Sequence, residues 1–208
     1  MTKITAVIPA YNEADRIVNT LNQVKPFVDE IIVVDDASTD ETAERAILQD
    51  VIVLTQAKNQ GYIEAIKYGF REAQSDIVIT LDADGEFSAQ DIPALLKPIL
   101  DGNADMVQGH RNRIVRPSEV FLTWLAQTKA EVGDSGTGLR AIRTDLAKTL
   151  DIKGACICGV FSLEVASKGG RIVEVPVTLQ AVKKPRNIAW FHFRQFFYLL
   201  PWLFKKII

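Results

Sequence analysis

The sequence has no glycine-rich phosphate cradle, no second cysteine pair and no apolar run long enough to cross a bilayer. Each absence excludes a class of function. The first apolar run ends in PAYNEADR, without G-x-G-x-x-G, so the pyrophosphate cradle of a dinucleotide-binding dehydrogenase is missing, and no P-loop occurs elsewhere. The Gly- and Arg-rich opening loop of a nucleotidyltransferase is also absent. Cys156 and Cys158 are the only cysteines, a poor disulfide framework with no second pair to complete a zinc site by spacing. They read as small core or near-surface residues. His110 and His192 lack paired ligand spacing and read as outside any metal site. The N-terminal MTKITAVIPAYNE is too short in its apolar part for a signal peptide, so a cytoplasmic, reducing setting is expected.

The 208 residues fit one domain with a sizeable core, and 48% hydrophobic content argues against disorder. Net charge is −2, with the basic residues gathered in RNRIVR (Arg111, Arg113, Arg116) and KKPR (Lys183, Lys184, Arg186). Two local patches on a near-neutral chain suit a phosphorylated small molecule or lipid and not a nucleic acid. ITAVIP, IIVVDD, VIVLT, DIVITLDAD and DMVQG read as strands, separated by the helical EADRIVNTLNQVKPF, STDETAERAILQD, GYIEAIKYGFREAQ and AQDIPALLKPIL. Ser38 or Thr39 stands where the second helix needs a cap. Continuous Val/Ile strands alternating with helices imply an α/β fold with a mostly parallel, doubly wound sheet and flanking helices.

Such sheets bind ligands beyond the carboxyl ends of their strands. The loops expected there carry Pro9, Tyr11 and Glu13, then Asp36, then Gly61, then Asp82 and Asp84. In ITLDADGEF, Asp82, Asp84 and Glu86 alternate just after an apolar run, a set of hard oxygen donors suited to Mg²⁺ or Mn²⁺. A Ca²⁺ loop of the EF-hand kind does not follow. A bare D-x-D is common, and the convergence of several polar loops is what makes it a candidate site.

VIPAYNEADRI (7–17), IIVVDDASTDET (31–42), KNQGYIEAIKYG (58–69), DIVITLDADGE (76–86), DSGTGLRAIR (134–143) and VEVPV (173–177) occur in one order. With them the chain resembles a family 2 glycosyltransferase of GT-A fold, and most of all the dolichol- or polyprenyl-phosphate sugar transferases. The resemblance covers about residues 4 to 178 and implies a glycosyltransferase domain over 1–182, with a basic, aromatic segment over 183–208. It implies Pro9, Tyr11, Glu13, Asp36, Gly61 and Asp82 as donor contacts, with Lys67 a weaker one. Asp82, Asp84 and Glu86 would hold the metal, Mg²⁺ or Mn²⁺. Arg111, Thr137, Gly138 and Arg140 would serve the acceptor side, with Lys183, Lys184 and Arg186 on its phosphate. Asp82, Asp84, Asp134 and Arg140 would carry catalysis. Lipid-phosphate members often carry Gln where this chain has Glu86, and a basic-Gly-Ser-Lys pattern where it has KKPRNIAW.

The implied reaction is inverting transfer of a hexose from GDP-mannose or UDP-glucose to a polyprenyl or dolichyl phosphate. The alternatives are a glycan or soluble hydroxyl acceptor, which needs a base such as Asp134 or Glu164, and a non-catalytic nucleotide-sugar-binding domain. WFHFRQFFYLLPWLFKKII holds eight of the seventeen aromatics and is broken by Pro201. Its Trp and Lys residues fit an interfacial segment on the cytoplasmic membrane face; the alternative is a helix docked on the core or on a partner subunit. Arg113, Arg116 and Asp145 read as solvated charge, and Glu174 as a simple edge residue.

Overall fold

The computed structural model describes residues 1–112, 116–180 and 189–205. The chain opens with β1 (Ile4–Ala10), α1 (Ile17–Val24), β2 (Glu30–Asp35), α2 (Thr42–Ile47), β3 (Ile52–Thr55), α3 (Tyr62–Glu72) and β4 (Ile77–Thr80). It continues through α4 (Ile92–Leu100), β5 (Met106–Arg111), α5 (Pro117–Gln127), β6 (Arg140–Arg143) and α6 (Thr144–Thr149). The last elements are α7 (Val160–Ser167), β7 (Ile172–Val177) and α8 (Ala189–Phe204). Among the described residues the strands form one sheet in the order β3-β2-β1-β4-β6-β5-β7.

The Val/Ile runs pair in parallel: Ala6 lies against Ile31 and Ile79, and Val33 against Val53. Successive side chains point to opposite faces of a strand, so each run feeds two cores. Val7, Val34, Val78, Met106 and Ile142 pack with α3, α5, α6, α7 and α8. Ala6, Ile8, Val33, Ile79 and Val107 pack with α1, α2 and α4. The sheet is thus an α/β layer covered on both faces. A Cβ on Gly69 of α3 would lie 2.2 Å from Val7 Cγ1, so α3 sits unusually close to β1.

Some local expectations shift. The first helix starts at Ile17, after two turns, and not at Glu13. Neither Ser38 nor Thr39 caps α2; its N-cap position falls on Glu41, without a side-chain cap, and Asp40 Oδ1 accepts the Thr42 N–H at 3.0 Å. β6, absent from the strand assignment above, inserts antiparallel to both β4 and β5. This insertion brings the DSGTG loop that precedes β6 to the edge where β4 ends. The aromatic tail is a helix packed on α5 and α7, with Gln195 fully buried and Leu199 at 1% exposure. No described helix is long and apolar enough to cross a membrane.

Candidate active site

At the edge where the parallel strands end, the loops after β1 and β2 are laced together. The Asn12 N–H donates to Ser38 Oγ (3.0 Å) and the Thr39 N–H to Asn12 Oδ1 (2.8 Å). These bonds hold Asn12 (φ 55°) and Ala37 (φ 58°) in the left-handed region, which residues other than glycine seldom occupy. Pro9 is buried in β1, Tyr11 is 46% exposed at the rim, and Glu13 is buried beside Arg16 Nη2 at 2.7 Å. Asp36, 4% exposed, accepts from Gln56 Nε2 (2.9 Å) and from the N–H groups of Gln60 (2.7 Å) and Gly61 (2.8 Å). It therefore clamps the loop that opens α3, where Gly61 has φ 90°. Lys67 pairs with Glu64 at 2.8 Å on α3.

Just beyond β4, Asp82, Asp84 and Glu86 each present a carboxylate oxygen, all within 4.8 Å of one another. Gly85, at φ 73°, makes the turn between the last two, and the Glu86 N–H donates to Asp84 Oδ1 at 3.0 Å. The loop is anchored by three contacts, from α1 and from the segment after β7. Thr20 Oγ1 donates to the Ala83 carbonyl (2.9 Å), Phe87 bridges Leu179, and the Gln180 N–H donates to the Glu86 carbonyl (2.7 Å). Three anionic oxygen donors at one mouth fit a hard divalent cation, and this is a Mn²⁺/Mg²⁺ site. Gly138 approaches so closely that a Cβ there would meet the Asp82 carboxylate at 2.7 Å.

Across the mouth, Arg111 is 7% exposed. Its Nε and Nη2 donate to the Asp134 oxygens at 2.7 and 2.8 Å, and Nη2 also donates to Glu119 Oε2 at 2.9 Å. Burial works against the Asp134 charge, but the bonds from Arg111 outweigh it and hold the carboxyl below its ordinary range. Burial likewise opposes the Arg111 charge, and its two carboxylates more than reverse this, holding it above its usual value. Glu174 is no simple edge residue. It accepts from the N–H groups of Gly133 (2.8 Å) and Asp134 (2.9 Å) and from Gln108 Nε2 (2.7 Å), with His110 Nδ1 at 2.9 Å.

Arg140 and Thr137 are fully buried. The Arg140 guanidinium lies over the Phe161 ring at 4.7 Å and donates to the Ser135 carbonyl at 3.1 Å, while its Nε and Nη1 have no hydrogen-bond partner. Burial lowers its pKa, offset in part by Tyr62, Asp134 and Asp82. Tyr62, which the sequence reading passed over, is pushed well above the usual phenol value by burial and then by Asp82.

Asp82, Asp84, Glu86 and Gly138 thus converge at the ends of β4 and the DSGTG loop, while Arg111, Asp134 and Arg140 stand enclosed behind them. Lys183, Lys184 and Arg186 lie outside the described residues, as does Arg113. Arg116 is not merely solvated, since its Nη1 meets Glu119 Oε1 at 2.9 Å. Glu119 was also missed, a lone acid in a helical run being indistinguishable from surface charge. Gln108 did leave a signal, a polar residue inside the apolar DMVQG.

A two-sided α/β sheet with an acidic cation site beyond β4 defines a GT-A glycosyltransferase. A family model described as glycosyl transferase family 2 matches residues 5–164, and the chain belongs to that family. An undecaprenyl-phosphate mannosyltransferase from Micrococcus luteus is 30% identical, over 85% of this chain and 83% of that protein. Glucosyl-3-phosphoglycerate synthase from Mycobacterium tuberculosis, in complex with phosphoglyceric acid, superposes with a TM-score of 0.84 at 23% identity, over 97% of this chain and 80% of that one. A second structure of this synthase gives 0.76 at 25% identity, over 96% and 79%.

These structures correct the expected placement nearest the dolichol- and polyprenyl-phosphate transferases, together with the expected lipid-phosphate acceptor and membrane partner. The solved likeness over nearly the whole chain is to a synthase of glucosyl-3-phosphoglycerate, whose acceptor moiety is water-soluble. One physical ground for the lipid reading, a free Arg111, goes with it, while Trp190, Phe193 and Phe197 of α8 stay exposed. Arg111 spends its donors on Asp134 and Glu119, and α8 packs its His192, Gln195 and Leu199 face into the protein.

Proposed function

We propose that the chain transfers a sugar from a nucleoside-diphosphate donor to a hydroxyl of a soluble acceptor. The observation that carries this reading is the Asp82, Asp84, Glu86 cluster at the strand-end mouth. The likeness to a synthase that joins glucose to a phosphoglycerate supports the acceptor class. In the reading, Asp82, Asp84 and Glu86 hold the cation and the Gly138 backbone packs against Asp82 to fix its angle. A Mn²⁺ or Mg²⁺ held by these carboxylates would supply Lewis-acid neutralisation of charge on a diphosphate leaving group. Pro9, Tyr11 and Glu13 border the donor's base and ribose, and Asp36 and Gly61 shape that wall.

Arg140 is sealed from solvent and acts as a fixed positive charge beneath Asp82, not as a hand on the acceptor. Asp134, with both oxygens bound and its basicity reduced, is a positioning residue for the loop that carries Thr137 and Gly138 and not the base, so the acceptor hydroxyl proton leaves with the departing diphosphate or to solvent.

The test is a donor panel including UDP-glucose and GDP-mannose, crossed with phosphoglycerate, glycerol phosphate and a polyprenyl phosphate, with Mn²⁺ or Mg²⁺. Cation-dependent transfer to a soluble acceptor is expected, with Asp84→Asn lowering kcat by about 100-fold or more. Transfer to the lipid phosphate alone would overturn the acceptor class. An unaffected Asp84→Asn would overturn the site.

A further inference from the structure

Next to the Arg111 and Glu119 cluster, where Cys158 Sγ would lie 3.5 Å from a Cβ on Gly136, folding assembles a second ligand set of different chemistry from the carboxylate mouth. Cys156 and Cys158 lie in the turn before α7, and His192 lies on α8, more than thirty residues on. One ligand atom from each falls within 4.8 Å of the others. Sequence spacing gave no hint of this, because the histidine arrives by tertiary packing and not by a local motif. Cys158 and His192 are each 4% exposed, Cys156 is half-buried, and both thiols are free.

We propose that Cys156, Cys158 and His192 form a Zn²⁺ site that fastens α8 to the body of the protein. Tetrahedral zinc binds sulfur at about 2.3 Å and nitrogen at about 2.0 Å, so its ligand atoms stand roughly 3.5–3.8 Å apart. His192 Nε2 is already 3.9 Å from Cys158 Sγ, and closing the set takes about an ångström or less. Thiolate and imidazole donors select zinc over the Mg²⁺ or Mn²⁺ that suits the oxygen site.

The surroundings supply the support such a site requires. Nδ1 of His192 is 2.7 Å from Ser118 Oγ; with its proton donated there, the Nε2 lone pair faces the thiols. Gln195, one turn along α8 and fully buried, accepts from the N–H groups of Ala155 (2.8 Å) and Cys156 (3.1 Å) and donates to the Cys158 carbonyl (2.8 Å). The same helix thus holds the cysteine backbone and presents the histidine. A water takes the fourth position, since Glu119 Oε1, 4.0 Å from Nε2, is already paired with Arg116. Binding releases two thiol protons to solvent and leaves two thiolates and a neutral imidazole on the metal.

The test uses the full chain, freed of metal and titrated with Co²⁺, whose thiolate charge-transfer absorption reports sulfur ligation and ignores carboxylates. One equivalent should produce that band together with tetrahedral visible absorption. Asp84→Asn should leave both intact, which separates this site from the proposed transferase centre. Cys156→Ser, at a half-buried position, should halve the band per cobalt, and His192→Ala should remove the tetrahedral absorption. Zn²⁺ at a hundredfold excess over Kd should raise the Tm of the wild type by roughly 5–10 °C, and that of the Cys156→Ser, Cys158→Ser double variant far less. No sulfur band at micromolar Co²⁺ would overturn the proposal. So would tetrahedral absorption indifferent to His192→Ala in a variant that retains the native circular dichroism, or a native protein lighter by two hydrogens with both thiols in a disulfide.

Discussion

Arg111 carries its charge inside the protein, and the cost of enclosing it is offset only because Asp134 and Glu119 meet it with well-aligned oxygens. Removing one member leaves the others charged, enclosed and unpaired. Arg111→Ala should therefore destabilise by about 3–5 kcal/mol. Arg111→Lys should recover only part of that, because an ammonium cannot reproduce the forked contact with Asp134. Urea denaturation midpoints would show it, and an Arg111→Ala midpoint equal to the wild type would return Arg111 to an exposed role. Glu86 belongs to the same scale with the opposite outcome. Half-buried at the cation mouth, it adds a third negative charge to the ligand set. Glu86→Gln should weaken Mn²⁺ binding on the order of tenfold by calorimetry. Its stability should stay within about 0.5 kcal/mol of the wild type.

Among the elements, α3 and β1 show how tightly a helix is set on the sheet. Gly69 has no Cβ, and one built there would fall 2.2 Å from Val7 Cγ1, at a β-branched side chain with little freedom to turn away. Gly69→Ala should cost about 1–3 kcal/mol through overpacking, and Val7→Ala in the same chain should restore part of it. Additive losses in the double variant would show that the contact is not the cause. This closeness was not visible in KNQGYIEAIKYG, where the glycine reads as one of several tolerated in a helix. The parallel strands, by contrast, were legible from their unbroken Val/Ile runs, since a strand buried on both faces has no polar side to show. β6 was not. RAIR begins and ends in arginine, and its place between β4 and β5 depends on pairing at long separation. The tail was half legible: a helix docked on the core was one reading of it, but its aromatics lie mostly on the exposed side, and only packing revealed that Gln195 and His192 share the buried side with Leu199.

At the scale of the whole molecule, carboxylates held below their ordinary range tie stability to pH. The acidic mouth was readable in the sequence because DADGE is local. The groups that set the acid limit were not, because their partners come from distant elements. Arg171 hydrogen-bonds Asp105 and lowers it. Burial opposes the charges of Asp134 and Glu174, yet Arg111 outweighs it for Asp134, and for Glu174 the Asp134 N–H, His110, Gln108 and the Gly133 N–H do so. In the unfolded chain these groups take up protons at about pH 4, and in the folded protein only at lower pH. The unfolded state therefore binds more protons in that window, and stability must rise with pH there. The expected profile is flat above about pH 5.5, falling steadily as acid protonates first the unfolded chain and then the native carboxylates. Glu174→Gln keeps an acceptor for the Gly133 and Asp134 N–H groups but removes the charge. It should lower the plateau at neutral pH and make the acid limb shallower, so that the two curves converge near pH 3. Thermal midpoints taken between pH 3 and 7 decide it, and parallel curves of equal slope would show that Glu174 has the same proton affinity in both states.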